Sequence, residues 1–251
     1  MQFFGTKKLG KIEDWEPVVS KKNWVPKHSA YELAHSWQPA AGFPPSVAAV
    51  FMSCHSDALA GIRPNYGVVE KPVFLDTMKG PSWKDVMVYC TNADSEPLVV
   101  AVEGKAKEPF GPPVSDWIRA KGERGESPEP KPSRVRRLNY LSKQLGVSFQ
   151  ADSGLRYQLL HRTASVIVES ELHSAAAAIV LVHSFYEEST ENWSDYVRFV
   201  NAIGIADPRK NVVQGPVQLG QSGGTPLFLA WVSDRPVESS NSYKASSVKR
   251  T

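Results

Sequence analysis

The stretch Lys84–Lys105, KDVMVYCTNADSEPLVVAVEGK, decides how this chain folds. Two apolar runs, Val86–Cys90 and Leu98–Val102, flank a connection rich in Asn, Asp and Ser. Runs of that length joined by turn-forming residues read as an antiparallel β-hairpin. With the hairpin symmetric about Asp94, Cys90 faces Leu98, Val88 faces Val100 and Val86 faces Val102. The same register sets Asp85 opposite Glu103, with side chains roughly 5 Å apart. Lys105 shares the face of Glu103, because side chains alternate along a strand. Two carboxylates and a lysine therefore meet at one end of an apolar hairpin.

Upstream, SAYELAHSW (Ser29–Trp37) predicts a short helix, with Ser29 and Glu32 at capping-box spacing. Pro44 and Pro45 open a second helix that runs to Met52. Tyr66–Leu75 reads as a strand, and Pro72 within it requires an edge position or a bulge. Downstream, PVSDWIRAK starts a helix and RVRRLNYLSKQL resumes one. A stronger helix spans about Arg156–Leu172, with Leu159, Thr163, Val166, Ile167 and Ser170 near one stripe. Ala178–His183 fits a buried central strand, STENWSDYVRFVNAIG an amphipathic helix, and PLFLAWV a last strand ending at Val232. The order is mixed α/β. Residues 1–238 read as one domain carrying a charged loop at 121–133, and residues 239–251 as a disordered basic tail.

Composition narrows the function classes. A chain of 251 residues that is 41% hydrophobic and 22% charged belongs with globular proteins that bury a large core. Its net charge of +3 permits nucleic-acid binding without requiring it. Two cysteines, Cys54 and Cys90, supply neither a disulfide framework nor a CxxC zinc site. No apolar stretch is long enough to span a bilayer and the start lacks a secretory pattern, so a cytoplasmic location is expected.

The chemistry rests on the hairpin end. Directly opposed carboxylates repel one another. A divalent cation between Asp85 and Glu103 relieves that repulsion, and hard oxygen ligands suit Mg²⁺ or Mn²⁺. Lys105 can then position or deprotonate a water, or stabilise charge on a transferred phosphoryl group. The layout suits metal-assisted phosphodiester hydrolysis. The plainer alternative is a charge-rich sheet end in which Lys105 simply pairs with a carboxylate.

In these residues, GPSWKDVMVYC and LVVAVEGK, the chain resembles the PD-(D/E)XK, or restriction-endonuclease-like, nuclease superfamily, and within it a bacterial branch with no assigned substrate. The resemblance implies an α-β-β-β-α-β core, a mixed central sheet flanked by helices. It implies Asp85 and Glu103 as metal ligands and Lys105 as the family's lysine. Pro81 lies four residues before Asp85, further than the family pattern places its proline. Members often bring a glutamate from the first helix, for which Glu32 is the candidate, and Glu70 of the first strand is a second. Gln158 matches a glutamine that holds the reacting water or the DNA backbone. The same resemblance implies a Mg²⁺-dependent (or Mn²⁺-dependent) nuclease, with double-stranded DNA the expected substrate and RNA left open, and it is compatible with a homodimer.

Between Arg119 and Lys143 eight Lys/Arg stand against three Glu, a local excess of +5. Arg134, Arg136 and Arg137 of that run, with Arg156 and Arg162 around Gln158, are the candidate phosphate contacts. A nuclease-like module that binds nucleic acid or protein without cutting is the alternative function. LGQSGGTPLFLAW also resembles the nucleophile segment of chymotrypsin-like serine proteases, with Ser222 as nucleophile. Gln221 and Thr225 break that pattern, CHSDA (Cys54–Ala58) reverses the usual order around the histidine, and a glycine-rich turn explains the segment. His183, ending a buried strand, reads as a satisfied core or rim histidine rather than a base.

Overall fold

Strand alternation gathers the apolar residues of this chain onto both faces of one sheet. A computed structural model describes residues 1–76, 80–119, 129–150, 153–186, 190–219 and 224–237. The strands are β1 (Gln2–Phe4), β2 (Lys8–Leu9), β3 (Arg63–Val73), β4 (Ser82–Thr91), β5 (Pro97–Lys105), β6 (Ala177–Ser184), β7 (Val213–Val217) and β8 (Leu227–Ser233). The α-helices are α1 (Glu16–Val19), α2 (Ser29–Trp37), α3 (Pro45–Met52), α4 (Val114–Ile118), α5 (Pro132–Leu145), α6 (Tyr157–Leu172) and α7 (Thr190–Ala202). The sheet order is β2-β1-β3-β4-β5-β6-β8-β7. This is a mixed α/β fold with a central sheet flanked by helices. No described helix is long and apolar enough to cross a membrane.

The central hairpin has the register expected from its sequence. Cys90 pairs with Leu98, Val88 with Val100 and Val86 with Val102. The ladder ends at Val86–Val102, however, and does not continue to Asp85 and Glu103. Instead the Asp85 carboxylate accepts the Gly104 backbone N–H at 2.9 Å. β5 meanwhile continues in parallel with β6 as far as Lys105–Ser184, and β6 runs parallel to β8. The end of β4 therefore splits from β5, and the opening lies at the acidic residues.

Val86, Val88, Val100 and Val102 face a core shared with Leu33, Trp37 and Val50 of α2 and α3. Met87, Tyr89, Val99 and Ala101 face the opposite core, built with α4 to α7. β6 is buried along its whole length, as a strand covered on both faces must be. In β3 the alternation slips at one residue. Val69 belongs to the α2 side, whereas Lys71 reaches Glu169 of α6 at 3.2 Å and Val73 lies in the α6-side core. Glu70, between them, adopts the left-handed region with φ of 49°. That conformation is strained for a residue with a Cβ, and it turns the following residues over to the other face.

Several expectations need correction. β1, β2 and β7 are additional strands, of 3, 2 and 5 residues, too short to show an alternation. β1 pairs with β3 only from Tyr66 to Val68, so Pro72 has β4 as its one neighbour, which meets its edge requirement. Helix α2 starts at Ser29 but His28 is its N-cap, and no capping box forms. The Glu32 carboxylate accepts instead the backbone N–H groups of Lys27 (2.8 Å) and Val237 (2.7 Å). Most of the charged loop (residues 120–128), Ser222 and the tail at 239–251 lie outside the described residues.

Candidate active site

The split between β4 and β5 opens a cavity of about 270 Å³ lined by Glu70, Asp85, Glu103, Lys105, Glu108 and Gln158, with Ser29 and Leu33 of α2 on its far wall. Three features of local sequence build it. Gly104, the middle residue of Glu-Gly-Lys, turns its bare face to α2. A Cβ there would sit 2.5 Å from Leu33 Cδ1 and 2.8 Å from its Cγ. Glycine lets the helix close against the strand while Glu103 and Lys105 point to the opposite side. Second, Asn192 of α7 clamps the following segment: its amide donates to Glu108 O (3.0 Å) and its carbonyl accepts from Phe110 N (3.1 Å). Third, Gln158 and Arg162 are four residues apart on α6 and so share one face.

Glu103 is the hub. Its Oε1 accepts from Lys105 Nζ at 2.8 Å and from Gln158 Nε2 at 2.5 Å. The Gly111 N–H donates to Gln158 Oε1 at 3.1 Å, which fixes the amide so that its NH₂ faces Glu103. Arg162 then reaches across the split. Its Nε lies 2.6 Å from Glu103 Oε2 and its Nη2 donates to Asp85 Oδ1 at 3.2 Å. One guanidinium thus touches both carboxylates. Lys105 Nζ also stands 4.8 Å above the Phe110 ring, which shields it from water on that side.

The charges at the cavity are unequal. Four carboxylates, Glu70, Asp85, Glu103 and Glu108, line the cavity with Lys105, and Arg162 bridges two of them. Burial would raise the Glu103 carboxyl, but Arg162 and Lys105 hold it below its ordinary value. Burial and the Glu103 charge raise Asp85 to about 6. Burial and the Asp85 charge raise Glu70 to about 7. Lys84, immediately before Asp85, is fully buried, and burial with the nearby Arg162 charge pushes its ammonium well below the usual lysine range. It donates to Ser82 Oγ at 2.7 Å, which in turn lies 2.6 Å from His161 Nδ1.

The donor set can be tested against a divalent cation. Asp85 Oδ1 and Glu103 Oε2 both contact the one Arg162 guanidinium, at 3.2 and 2.6 Å. Among the described residues no three His, Cys, Asp or Glu side chains are grouped to hold a metal. A site of two carboxylates still fits Mg²⁺, which keeps several waters and commonly uses one or two carboxylates with substrate phosphates. Asp85 and Glu103 would hold it.

Of the residues singled out from sequence, Asp85, Glu103, Lys105, Gln158 and Glu70 come together here. Glu32 does not: it is fully buried and spent on two backbone N–H groups. The arginines are also redistributed. Arg162 lies inside the site rather than on a surface. Arg137 is buried against Asp76 at 2.7 Å. Arg156 bridges α6 to α7 through Asp195 (2.7 Å) and Glu191 (2.9 Å). Arg134 lies over the Trp117 ring and donates to the carbonyls of Trp117 and Arg119. Arg136 alone of the five is exposed. Glu108, three residues past Lys105 and just before the Pro/Gly turn, also lines the cavity.

His183 is no general base. The Trp37 indole N–H donates to its Nδ1 at 3.0 Å, so the ring proton sits on Nε2, facing Asp234 at 3.2 Å. Ser46 donates to the same Asp234 oxygen at 2.7 Å, so no serine proton is aimed at the histidine. This is the satisfied core histidine the sequence suggested.

A family model described as Domain of unknown function (DUF6946) matches residues 8–236. No curated protein matches the chain. No solved structure matches it either.

Proposed function

Because the chain belongs to the DUF6946 family, whose function its description leaves open, its own geometry must carry the reading, and we propose that it is a metal-dependent nuclease of the restriction-endonuclease-like kind that hydrolyses phosphodiester bonds in DNA. The observation that carries the proposal is the convergence of Asp85, Glu103, Lys105 and Gln158 on one cavity where β4 and β5 part. Set apart from the intervening α3, α4 and α5, the elements α2, β3, β4, β5, α6 and β6 support it, since they follow the α-β-β-β-α-β order of that superfamily's core.

In this reading Asp85 and Glu103 hold a Mg²⁺ or Mn²⁺ ion, which supplies Lewis-acid activation of water and phosphate. Lys105, fixed by Glu103 and Phe110, holds the attacking water or steadies charge on the phosphate oxygens. Gln158, whose amide Gly111 orients, is a second donor at the same place. The excess of carboxylates would repel a nucleic-acid backbone, so the cation is also what makes the cavity acceptable to phosphate. Exposed Arg136 contributes to holding the duplex, and a second copy of the chain would serve the second strand.

A non-cutting, nuclease-like binding module is the second reading. It is favoured by Arg162, which already neutralises both Asp85 and Glu103 without a metal.

Incubation of wild type and Lys105→Ala with single- and double-stranded DNA and RNA, in Mg²⁺, Mn²⁺ or EDTA, separates the two. The nuclease reading expects cleavage of double-stranded DNA that EDTA abolishes and Lys105→Ala lowers by about 10²-fold or more. Equal binding by both proteins with no cleavage of any substrate would establish the binding module instead.

A further inference from the structure

Arg162 occupies the place between Asp85 and Glu103 that a shared cation would take. Its side chain is only 12% exposed, and its two contacts fall on the facing oxygens of the two carboxylates. Yet the guanidinium is poorly bound as a hydrogen-bond donor. Nη2 donates to Asp85 and Nε makes a 2.6 Å ion-pair contact with Glu103 Oε2, whereas Nη1 is buried with no hydrogen-bond partner among the described residues. A structural arginine normally saturates its fork, as Arg156 does here through Nε, Nη1 and Nη2. Arg162 is held mainly by charge, so its removal from the pair breaks few directional bonds.

The rest of the site is arranged around that exchange. Glu103 Oε1 keeps Lys105 and Gln158 when Oε2 changes partner. Asp85 Oδ2 keeps the Gly104 N–H when Oδ1 changes partner. Each carboxylate thus has one oxygen anchored by the protein and one oxygen committed only to Arg162. Glu70, whose carboxylate makes no hydrogen bond or ion pair among the described residues, stands beside Asp85 and Arg162 and adds negative charge.

Resting on the metal-dependent reading above, we propose that Arg162 is a resident cation of the Asp85–Glu103 pair, which a divalent metal binds only by displacing it. The arginine keeps the two carboxylates together in the metal-free protein and sets the metal concentration at which the site loads. Two like-charged cations beside each other in a partly buried cavity oppose one another, so removal of the guanidinium tightens metal binding.

Mn²⁺ binding to wild type, Arg162→Met, Arg162→Lys and Asp85→Asn, measured by calorimetry or by the paramagnetic resonance signal of free Mn²⁺, tests this without reference to cleavage. Arg162→Met is expected to bind Mn²⁺ about tenfold or more tightly than wild type. Arg162→Lys, whose single ammonium does not span both carboxylates, gains about threefold. Asp85→Asn loses binding. Mn²⁺ also raises the melting temperature more in Arg162→Met than in wild type, because there the metal relieves an unneutralised pair. If Arg162→Met does not fold without metal, the Arg162→Lys affinity decides. Wild type binding Mn²⁺ while the folded arginine variants bind it equally or more weakly would overturn the proposal and leave the metal-dependent reading standing. No binding of Mn²⁺ by any variant up to millimolar concentration would overturn both.

Discussion

Glu70 shows how a single residue reports on the site. It is held in a left-handed conformation that few residues with a side chain adopt, and its carboxyl is raised from 4.5 to about 7 by burial and by the Asp85 charge. The folded protein therefore keeps this proton longer than the unfolded chain does. Stability associated with it is present below about pH 4.5 and is lost as pH rises toward 7. Glu70→Gln removes the ionisation and keeps the shape. Compared with wild type, the variant should gain about 1–2 kcal/mol on going from pH 4.5 to pH 8, after a discount for the partial exposure of the group. Urea unfolding of both proteins at the two pH values measures this, and a difference independent of pH would contradict it. None of this was legible in the sequence. Alternation marked Glu70 as a strand residue near the hairpin, but a slip in alternation leaves no trace in the residue types that flank it.

At the scale of elements, the hairpin was the most legible part of the chain. Its apolar runs are symmetric about Asp94, and the pairs from Val86–Val102 to Cys90–Leu98 follow from that symmetry. The sequence could not show that the ladder stops before Asp85, because stopping depends on β5 staying with β6 and on Asp85 taking the Gly104 N–H. Gly104 was likewise only the middle of a motif until α2 was seen crossing it. Gly104→Ala should cost about 1–3 kcal/mol, since Leu33 is buried and must shift to admit the methyl group. Chemical denaturation checks this, and an unchanged midpoint would contradict the packing of α2 on β5. The arginines were misread for a related reason. A basic residue at the start of a helix looks alike whether it meets phosphate or a carboxylate on the next helix. Arg156→Ala leaves the buried Asp195 with, among the described residues, only Arg198 at 3.2 Å, and should cost about 2 kcal/mol of stability. A loss of DNA affinity without a loss of stability would return Arg156 to the substrate surface.

At the scale of the whole molecule, one sheet draws strands from both ends of the chain and places its split at the ends of β4 and β5. Helices α2 and α6 bracket that split from opposite faces, one closing on Gly104 and the other delivering Gln158 and Arg162. The polar cavity between them carries more negative than positive charge, and the proposed function turns on what neutralises it. The most direct measurement is an anomalous-scattering map from crystals soaked in Mn²⁺. The account predicts a single peak roughly 2–2.3 Å from Asp85 Oδ1 and Glu103 Oε2, with the Arg162 guanidinium moved off both oxygens. Saturating Mn²⁺ that leaves no peak there, with Arg162 still bridging the two carboxylates, would contradict it.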